Sequence, residues 1–269
     1  MNLKPNPDNT IILKSAHEIG IMRESGQVVA GVVKALTEQT VEGMTTRDLN
    51  EIAARMFKQV GAESTSLNYF GYPGHICVSV NDEVVHGIPG PRKLKKGDLV
   101  KCDVAARYRG YVGDTTGAFI VGGNDAAPEQ ATRLMNVTRE AMMKGIEAAQ
   151  PGARLTDIGA AIEAHVKQHA MSIVRDFVGH GVGRSMHEAP QVVHYGPGGR
   201  GPVLRPGMVI AIEPQVNLGS AQIRMLEDRW TAVTVDGSLS CHWEHTVAIT
   251  ADGPEILTLP AESGHIGSD

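Results

Sequence analysis

The chain has 269 residues and a mass of 28.7 kDa, enough to bury a full core in one large domain or two small ones. Hydrophobic residues make up 42% and charged residues 20%, so the composition excludes a wholly disordered or fibrous chain. The formal charge of −5 provides no basic field, so we expect neither nucleic acid nor an anionic membrane as a partner.

The first predicted elements are two helices. Ser15 and Glu18 form the S-x-x-E pattern of a capping box, and apolar residues follow at helical spacing. A second amphipathic helix is predicted to start from an N-cap at Thr45 or Thr46. A β-rich stretch with several glycine-containing turn signals follows over residues 64 to about 123.

The order of helix, helix and strands then occurs a second time. A helix is predicted over about 128–149, a second helix follows, and another β-rich half completes the chain. At an offset of 109 residues, Gly43 matches Gly152 and Asp48 matches Asp157. The pattern predicts two similar αβ halves that share one core rather than two separate domains.

Asp103 and Asp114 flank a predicted β-hairpin turn at residues 107–110. A turn centred between Tyr108 and Arg109 would place the two aspartates directly opposite each other on one face. Because like charges at such positions repel, a bound cation is the economical explanation. The hairpin alone leaves open a bulge that moves one side chain to the other face, or two carboxylates that point to water.

Two histidines and two glutamates extend this set. Glycines on both sides of His180 disfavour a regular helix, and the extended spacing to His187 predicts different roles for the two histidines. A hydrogen-bonded core histidine is the simpler interpretation of His180 alone. Glu213 and Glu244 lie at apolar strands, where a carboxylate is costly unless it is paired with a cation or binds a metal.

Taken together, these residues are typical of a two-metal hydrolase. Four carboxylates and one imidazole carry a formal charge of −4, which two divalent cations would neutralise. Such a ligand set suits Co, Mn, Fe(II) or Zn, and the sequence does not choose among them. The five candidate ligands are Asp103, Asp114, His180, Glu213 and Glu244.

A second histidine pattern is weaker. His165 and His169 form an H-x-x-x-H pattern on a predicted helix, but Val166 stands where a zincin needs glutamate. We therefore favour a packing or surface role for this histidine pair. The three cysteines lie far apart without a C-x-x-C pair, which favours a reducing cytosol.

The motifs closely resemble those of the type I methionine aminopeptidases, within the larger group of pita-bread peptidases. The resemblance extends over about residues 15–258. Its motifs are Asn81-Asp-Glu-Val-Val-His86-Gly-Ile-Pro, Cys102-Asp103-Val, Gly113-Asp114-Thr, Gly179-His180-Gly-Val-Gly, His187-Glu-Ala-Pro, Ile212-Glu213-Pro and Glu244-His-Thr.

The resemblance implies an α+β, duplicated pita-bread fold, in which two pairs of helices with pseudo-twofold symmetry cover an antiparallel β-sheet core. We expect a single catalytic domain over 15–258, with halves at about 15–123 and 124–258. Residues 1–14 would form an N-terminal extension, and residues 259–269 a C-terminal tail.

The resemblance also implies how the ligands are shared. Asp114 and Glu244 would bridge two divalent metals, and Asp103 would complete one coordination sphere. His180 with Glu213 would complete the other. A metal-bridging water or hydroxide would then attack the scissile peptide bond, because coordination lowers the pKa of water towards neutrality.

Three residues would carry the proton transfers and hydrogen bonds of this reaction. The resemblance implies that Glu213 accepts the proton of the attacking water. His187 would hydrogen-bond the scissile carbonyl and its developing oxyanion, and His86 would help to transfer a proton to the leaving amine.

The implied substrate is the N-terminal initiator methionine of a nascent polypeptide whose second residue is small. A thioether suits an apolar aromatic pocket because sulfur is polarizable. The residues that match the family's methionine pocket are Tyr69, Tyr72, Cys77, Phe177 and Trp230.

A monovalent cation near Asn81 and Ser240 is a further expectation from the resemblance.

The surroundings of such an enzyme are also predicted. No signal peptide and no apolar run of about 18 residues is found, so we expect a cytoplasmic protein without a membrane span. We expect a monomer that can dock to the ribosome, although residues 225–229 do not form a basic loop. The alternatives are an X-Pro peptidase of the same fold and a binding module that has lost its metals.

Overall fold

The computed structural model describes residues 10–260 of the chain. Four α-helices lie within them: α1 (Ala16–Gln39), α2 (Thr46–Val60), α3 (Glu129–Ala148) and α4 (Leu155–Gln168). Two short 3₁₀ turns add Tyr69–Gly71 and Asn124–Ala126. The four helices occur as two pairs, α1 against α2 and α3 against α4, in the order that the sequence predicts.

Fifteen strands lie in the same described part of the chain. They are β1 (Glu63–Ser64), β2 (Cys77–Val80), β3 (Glu83–Val85), β4 (Leu99–Tyr108), β5 (Tyr111–Ile120), β6 (Ser172–Ile173), β7 (Gly179–Gly181), β8 (Glu188–Val192), β9 (Val209–Ile212), β10 (Gln215–Asn217), β11 (Ile223–Met225), β12 (Ala232–Thr234), β13 (Ser240–His242), β14 (Glu244–Thr250) and β15 (Gly253–Ile256).

A nine-stranded antiparallel sheet forms the centre of the fold. Its order is β1-β4-β5-β14-β9-β7-β8, and β2 also pairs with β4 while β15 pairs with β14. Two small sheets, β13-β10-β6 and β11-β12-β3, lie beside it. One apolar cluster packs α1 and α2 on the central sheet, and a second packs α3 and α4 on it. The α+β class with two helix pairs over an antiparallel sheet is confirmed.

The helix starts follow the predicted capping chemistry. The Ser15 hydroxyl accepts a hydrogen bond from the Glu18 backbone N–H, and the Glu18 carboxylate accepts one from the Ser15 N–H. Thr45, rather than Thr46, is the N-cap of α2, and Gly61 ends that helix in the left-handed conformation. An N-cap of this kind stabilises a helix by about 1 kcal/mol.

The two halves share local geometry at the matched positions. Gly43 and Gly152 have φ values of +90° and +92°. Asp48 and Asp157 each accept a hydrogen bond from the backbone N–H of the N-cap residue, at 2.6 and 2.8 Å. The same turn thus begins α2 and α4, which fits a duplicated fold. The domain boundaries stay predictions, and residues 1–9 and 261–269 of the predicted extension and tail lie outside the described residues.

The register of the β4–β5 hairpin corrects one expectation. Arg109 and Gly110 form a two-residue turn with φ values of +50° and +85°, as in a type I′ turn. Asp103 therefore pairs with Thr116, and Asp114 lies diagonally across from Asp103 rather than directly opposite. The turn centre lies one residue beyond the predicted centre. Because such a shift moves pairing by two residues, both aspartates stay on one face of the sheet.

Close packing of α1 on β5 positions the strand that carries Asp114. A Cβ atom added at Gly113 would lie 2.7 Å from the carbonyl of Ser25, and one at Gly117 would overlap Val33. Only glycine allows the helix backbone to approach the strand this closely. No helix in the described residues is long and apolar enough to cross a membrane.

Candidate active site

One pocket brings together most of the predicted site. All five predicted metal ligands line it, among them the catalytic candidate Glu213, together with the other two catalytic candidates, His86 and His187. Four of the five predicted methionine-pocket residues line it as well, namely Tyr69, Tyr72, Cys77 and Trp230. Phe177, the fifth, packs its ring edge-on against the pocket residue His86, at 5.2 Å between centroids.

The carboxylates lie close to one imidazole at the base of this pocket. Ligand atoms of Asp114, His180 and Glu244 all lie within 4.8 Å of one another, and all three residues are buried. The Nε2 atom of His180 is 3.4 Å from Oε1 of Glu213 and 3.8 Å from Oδ2 of Asp114. Strands β4, β5, β7 and β14 of the central sheet carry four of the ligands, and Glu213 directly follows β9.

The electrostatics of this cluster are unfavourable without a cation. Burial raises the pKa of Asp103 to about 6. Burial and then the repulsion of neighbouring carboxylates raise the pKa values of Asp114, Glu213 and Glu244 well above their usual range. Among the described residues, no lysine or arginine forms an ion pair with any of the four acids. The negative charge is therefore left for a bound cation to neutralise.

Two observations show that the side chains suit divalent metal ions. Oδ1 of Asp114 is buried and has no hydrogen-bond partner in the described structure. Nδ1 of His180 lies 3.0 Å from the carbonyl oxygen of Gly181, which accepts a hydrogen bond from the Nδ1–H. The unprotonated Nε2 of the ring then faces the acids. A metal-ligating histidine commonly donates its other N–H to a carbonyl in this way.

Some residues that hold the ligands are absent from the sequence predictions. Thr116 donates a hydrogen bond from its hydroxyl to Oε2 of Glu244 at 2.9 Å. Gln215 donates from Nε2 to Oε2 of Glu213 at 3.1 Å. Thr116 lies two residues after Asp114, and Gln215 two residues after Glu213, so the alternation of a β-strand could have placed each pair on one face.

His187 and His86 stand at the pocket as neutral side chains. Burial lowers the pKa of His187 to about 2 and that of His86 to about 4. The hydroxyl oxygen of Tyr69 lies 2.7 Å from Nδ1 of His187. His86 has a φ of +60°, a conformation that a residue with a side chain seldom adopts, and such strain is frequent at functional sites.

The aromatic part of the pocket is rigidly packed. Tyr72 and Trp230 meet edge-to-face at 5.1 Å between ring centroids. The buried Tyr72 hydroxyl donates to the carbonyl of Gly87 at 2.8 Å, so its polar end is satisfied while its ring faces the pocket. Cys77 is buried, and burial raises the pKa of its thiol well above the usual range. The thiol is therefore protonated and adds apolar surface.

A buried lysine lies where a monovalent cation was expected. The carbonyl oxygen of Asn81 accepts a hydrogen bond from Nζ of Lys101 at 3.0 Å and another from the backbone N–H of Ser240 at 3.1 Å. Burial lowers the pKa of Lys101 to about 8, and its side chain is almost fully enclosed. The ammonium group of Lys101 thus contacts Asn81, one of the two residues expected to bind the monovalent cation.

Comparison with known proteins gives a consistent result. The model of metallopeptidase family M24 matches residues 20–251. Methionine aminopeptidase 1 of Bacillus subtilis is 48% identical over 248 residues, which cover 92% of this chain and 99% of that protein. Methionine aminopeptidase of Clostridium perfringens is 45% identical, with 93% of this chain and 99% of that protein covered.

Solved structures agree with the fold. The crystal structure of methionine aminopeptidase from Thermotoga maritima is 43% identical and superposes with a TM-score of 0.90, covering 93% of this chain and all of that chain. Prolidase from Pyrococcus furiosus is 25% identical with a TM-score of 0.75, and the alignment covers 66% of that chain. The duplicated pita-bread fold is thereby confirmed. The chain belongs to metallopeptidase family M24 and, within it, groups with the methionine aminopeptidases.

Proposed function

We propose that this chain removes the N-terminal methionine from polypeptides by metal-dependent hydrolysis. The observation that carries the proposal is that one pocket contains both the carboxylate and histidine cluster and an aromatic wall, formed by Tyr69, Tyr72 and Trp230. High identity to methionine aminopeptidases over nearly the whole chain supports the same activity. The X-Pro alternative is less well supported, because the prolidase likeness is lower and covers only 66% of that protein.

Two divalent ions would be held by the clustered acids and His180. When bound, they would supply an activated water and polarise the scissile carbonyl. Co, Mn, Fe(II) and Zn all suit this donor set, which mixes carboxylate oxygens with one imidazole nitrogen. The residues proposed to hold them are Asp103, Asp114, His180, Glu213 and Glu244.

Glu213 is the proposed proton acceptor of the reaction. Burial and the nearby Asp114 and Asp103 raise its pKa, and a carboxylate with a raised pKa is a stronger proton acceptor. Gln215 orients one carboxylate oxygen of Glu213 by a hydrogen bond at 3.1 Å, and the other oxygen faces His180. The side chain is therefore positioned to take a proton within the cluster.

His187 is proposed to donate a hydrogen bond to the scissile carbonyl oxygen. Burial raises the pKa of Tyr69, so its phenol stays protonated and can donate a hydrogen bond to Nδ1 of His187. The neutral imidazole then carries its proton on Nε2, where it can stabilise the developing oxyanion. His86, also neutral, is proposed to contact the peptide nitrogen and to pass a proton to the leaving amine.

The aromatic wall is proposed to hold the methionine side chain. Tyr72, Trp230 and Cys77 line the pocket, and a thioether sulfur packs favourably against aromatic ring edges such as those of Tyr72 and Trp230. Tyr69 also lines the pocket, where its hydroxyl oxygen contacts His187. Phe177 is proposed to belong to the same methionine pocket, beside His86, against which its ring packs edge-on. Preference for a small second residue is part of the same proposal.

Other expectations extend the proposal to the surroundings of the enzyme. Since Lys101 already contacts the Asn81 carbonyl, a monovalent cation near Asn81 and Ser240 would have to share that oxygen with the ammonium group. We propose a monomer that acts in the cytoplasm on nascent chains at the ribosome. Sedimentation of the purified chain and its co-sedimentation with ribosomes test these points.

Peptide hydrolysis by metal-stripped protein tests the main proposal. We expect methionine release from Met-Ala-Ser, but not from Met-Lys-Ser, after Co, Mn, Fe(II) or Zn is restored. Cleavage restricted to X-Pro dipeptides would instead assign the chain to the prolidase type. His187→Ala should still bind metal but lose turnover, whereas loss of metal from that variant would make His187 a ligand.

A further inference from the structure

A second cluster of metal-ligating side chains lies on the α3–α4 helix pair. Nε2 of His165 is 3.1 Å from Oε2 of Glu140, and the rings of His165 and His169 have centroids 4.8 Å apart. One ligand atom from each of the three residues lies within 4.8 Å of the other two. None of the three residues lines the active-site pocket.

The helices hold these side chains in place. His165 lies in the last turn of α4 and His169 is its C-cap, so the spacing of four residues brings the two side chains to the same face of the helix. The carbonyl of His169, at the C-cap of α4, accepts a hydrogen bond from Arg133 of α3 at 2.9 Å. A Cβ atom at Gly145 of α3 would lie 2.6 Å from the Ile162 side chain, so the two helices pack closely. The spacing between the two helices is therefore firmly set.

The exposure of the cluster leaves room for a metal and its water ligands. Glu140 has 58% of its side chain exposed, whereas His165 has only 15% exposed. The exposed Glu140 side chain can thus change its rotamer to bind an incoming ion, while the more enclosed His165 keeps its position. Three of the active-site ligands, Asp114, His180 and Glu244, are buried, whereas Glu140 is exposed, which makes this a different kind of site.

We propose that Glu140, His165 and His169 form a separate site for one divalent transition-metal ion of the zinc class. Two neutral imidazoles and one carboxylate are a common three-ligand set for zinc, with the remaining position open to water. Val166 stands where a zincin has its general-base glutamate, so this site is not a zincin centre, and its third ligand, Glu140, comes from α3 across the helix pair. A bound ion would link α3 to α4 away from the peptide pocket.

Zinc stoichiometry tests this site independently of the proposed activity. Equilibrium dialysis of the full chain against Zn²⁺ should give one more bound equivalent for the wild type than for His169→Ala. Glu140→Gln, which preserves size and removes the charge, should weaken the same equivalent by at least about tenfold. His17→Ala, at an exposed histidine on α1, is the matched control and should bind zinc as the wild type does.

Methionine release should be unchanged in all three variants, since none of these residues contacts the pocket. An anomalous scattering peak at the zinc edge between the three side chains would locate the ion. Equal stoichiometry and affinity in the wild type, His169→Ala and Glu140→Gln would overturn the proposal and reduce the cluster to a surface ion pair.

Discussion

The hydroxyl oxygen of Tyr69 lies 2.7 Å from Nδ1 of His187, although the two residues are 118 positions apart in the chain. Their rings are tilted by 33° with centroids 5.3 Å apart. The contact connects the turn after β1 with the segment before β8, and both segments line the pocket. A tyrosine predicted to contact methionine thereby also sets the orientation and the protonated nitrogen of a proposed catalytic histidine.

Tyr69→Phe should reduce kcat for methionine release by about 5- to 30-fold, which corresponds to the loss of about 1 to 2 kcal/mol from one hydrogen bond. Zinc or manganese stoichiometry should not change, because Tyr69 does not belong to the ligand set. Tyr108→Phe removes a hydroxyl at the far end of the β4–β5 hairpin and serves as the control. An effect on metal content rather than on kcat would contradict the positioning role.

The acid cluster should make the stability of the metal-free protein fall as pH rises. The pKa of Asp103 is about 6 when folded and near 4 when unfolded, so the folded state binds more protons between these values. Buried histidines such as His86 and His187 act in the opposite direction below about pH 6.5, because their pKa values are lowered on folding. The free energy of unfolding should therefore decrease from pH 7 to 9, where the raised pKa values of Asp114, Glu213 and Glu244 act, and added divalent metal should remove this decrease. Urea unfolding of the chelated protein measures it.

Two variants separate this effect from other titrations. Asp103→Asn should show a smaller decrease without metal, because one of the crowded acids is gone. Asp252→Asn, at an exposed turn, should behave like the wild type. Stability that rises with pH over the same range in the metal-free wild type would be the opposite of the expected sign.

Gly113→Ala should destabilise the protein and lower its activity. The new Cβ would lie 2.7 Å from the backbone of Ser25, so α1 or β5 must shift, at a cost of about 1–3 kcal/mol. Because Asp114 is the next residue, the metal cluster should loosen as well. The matched change Gly31→Ala meets no atom within 4 Å and should stabilise α1 by about 0.5–1 kcal/mol. Thermal unfolding of both variants provides the comparison.

The buried ion pair between Lys14 and Glu188 should be important for stability. Their charged atoms are 2.7 Å apart, and both side chains are less than a tenth exposed. Lys14→Ala should cost about 3–5 kcal/mol, because it leaves a buried carboxylate unpaired beside His187. Lys34→Ala removes an exposed partner of Glu38 at 4.0 Å and should cost less than about 1 kcal/mol. Similar losses in both variants, measured by urea unfolding, would refute this difference.

The local features of this protein could be predicted from the sequence. The capping boxes at Ser15 and Thr45 and the glycine end of α2 depend on neighbours within a few residues, so the residue types are sufficient. The acidic residues at apolar strands were also recognisable, because an unpaired carboxylate in a core is costly. The order of two helices followed by strands, repeated once, indicated the duplicated fold.

Other features depended on long-range packing. The turn conformation at Arg109 and Gly110 set the hairpin register, and so the diagonal placement of the two aspartates. The edge-on contact between Phe177 and His86 could not be derived from either segment alone.

Contacts between distant segments account for the rest. Tyr69 reaches His187 only because separate loops converge on one pocket, and Glu140 reaches His165 only because α3 packs against α4. Sequence patterns record the chemistry that each residue offers and the faces set by helix and strand periodicity. Which groups meet across the core depends on how whole elements pack, and only the tertiary structure decides that.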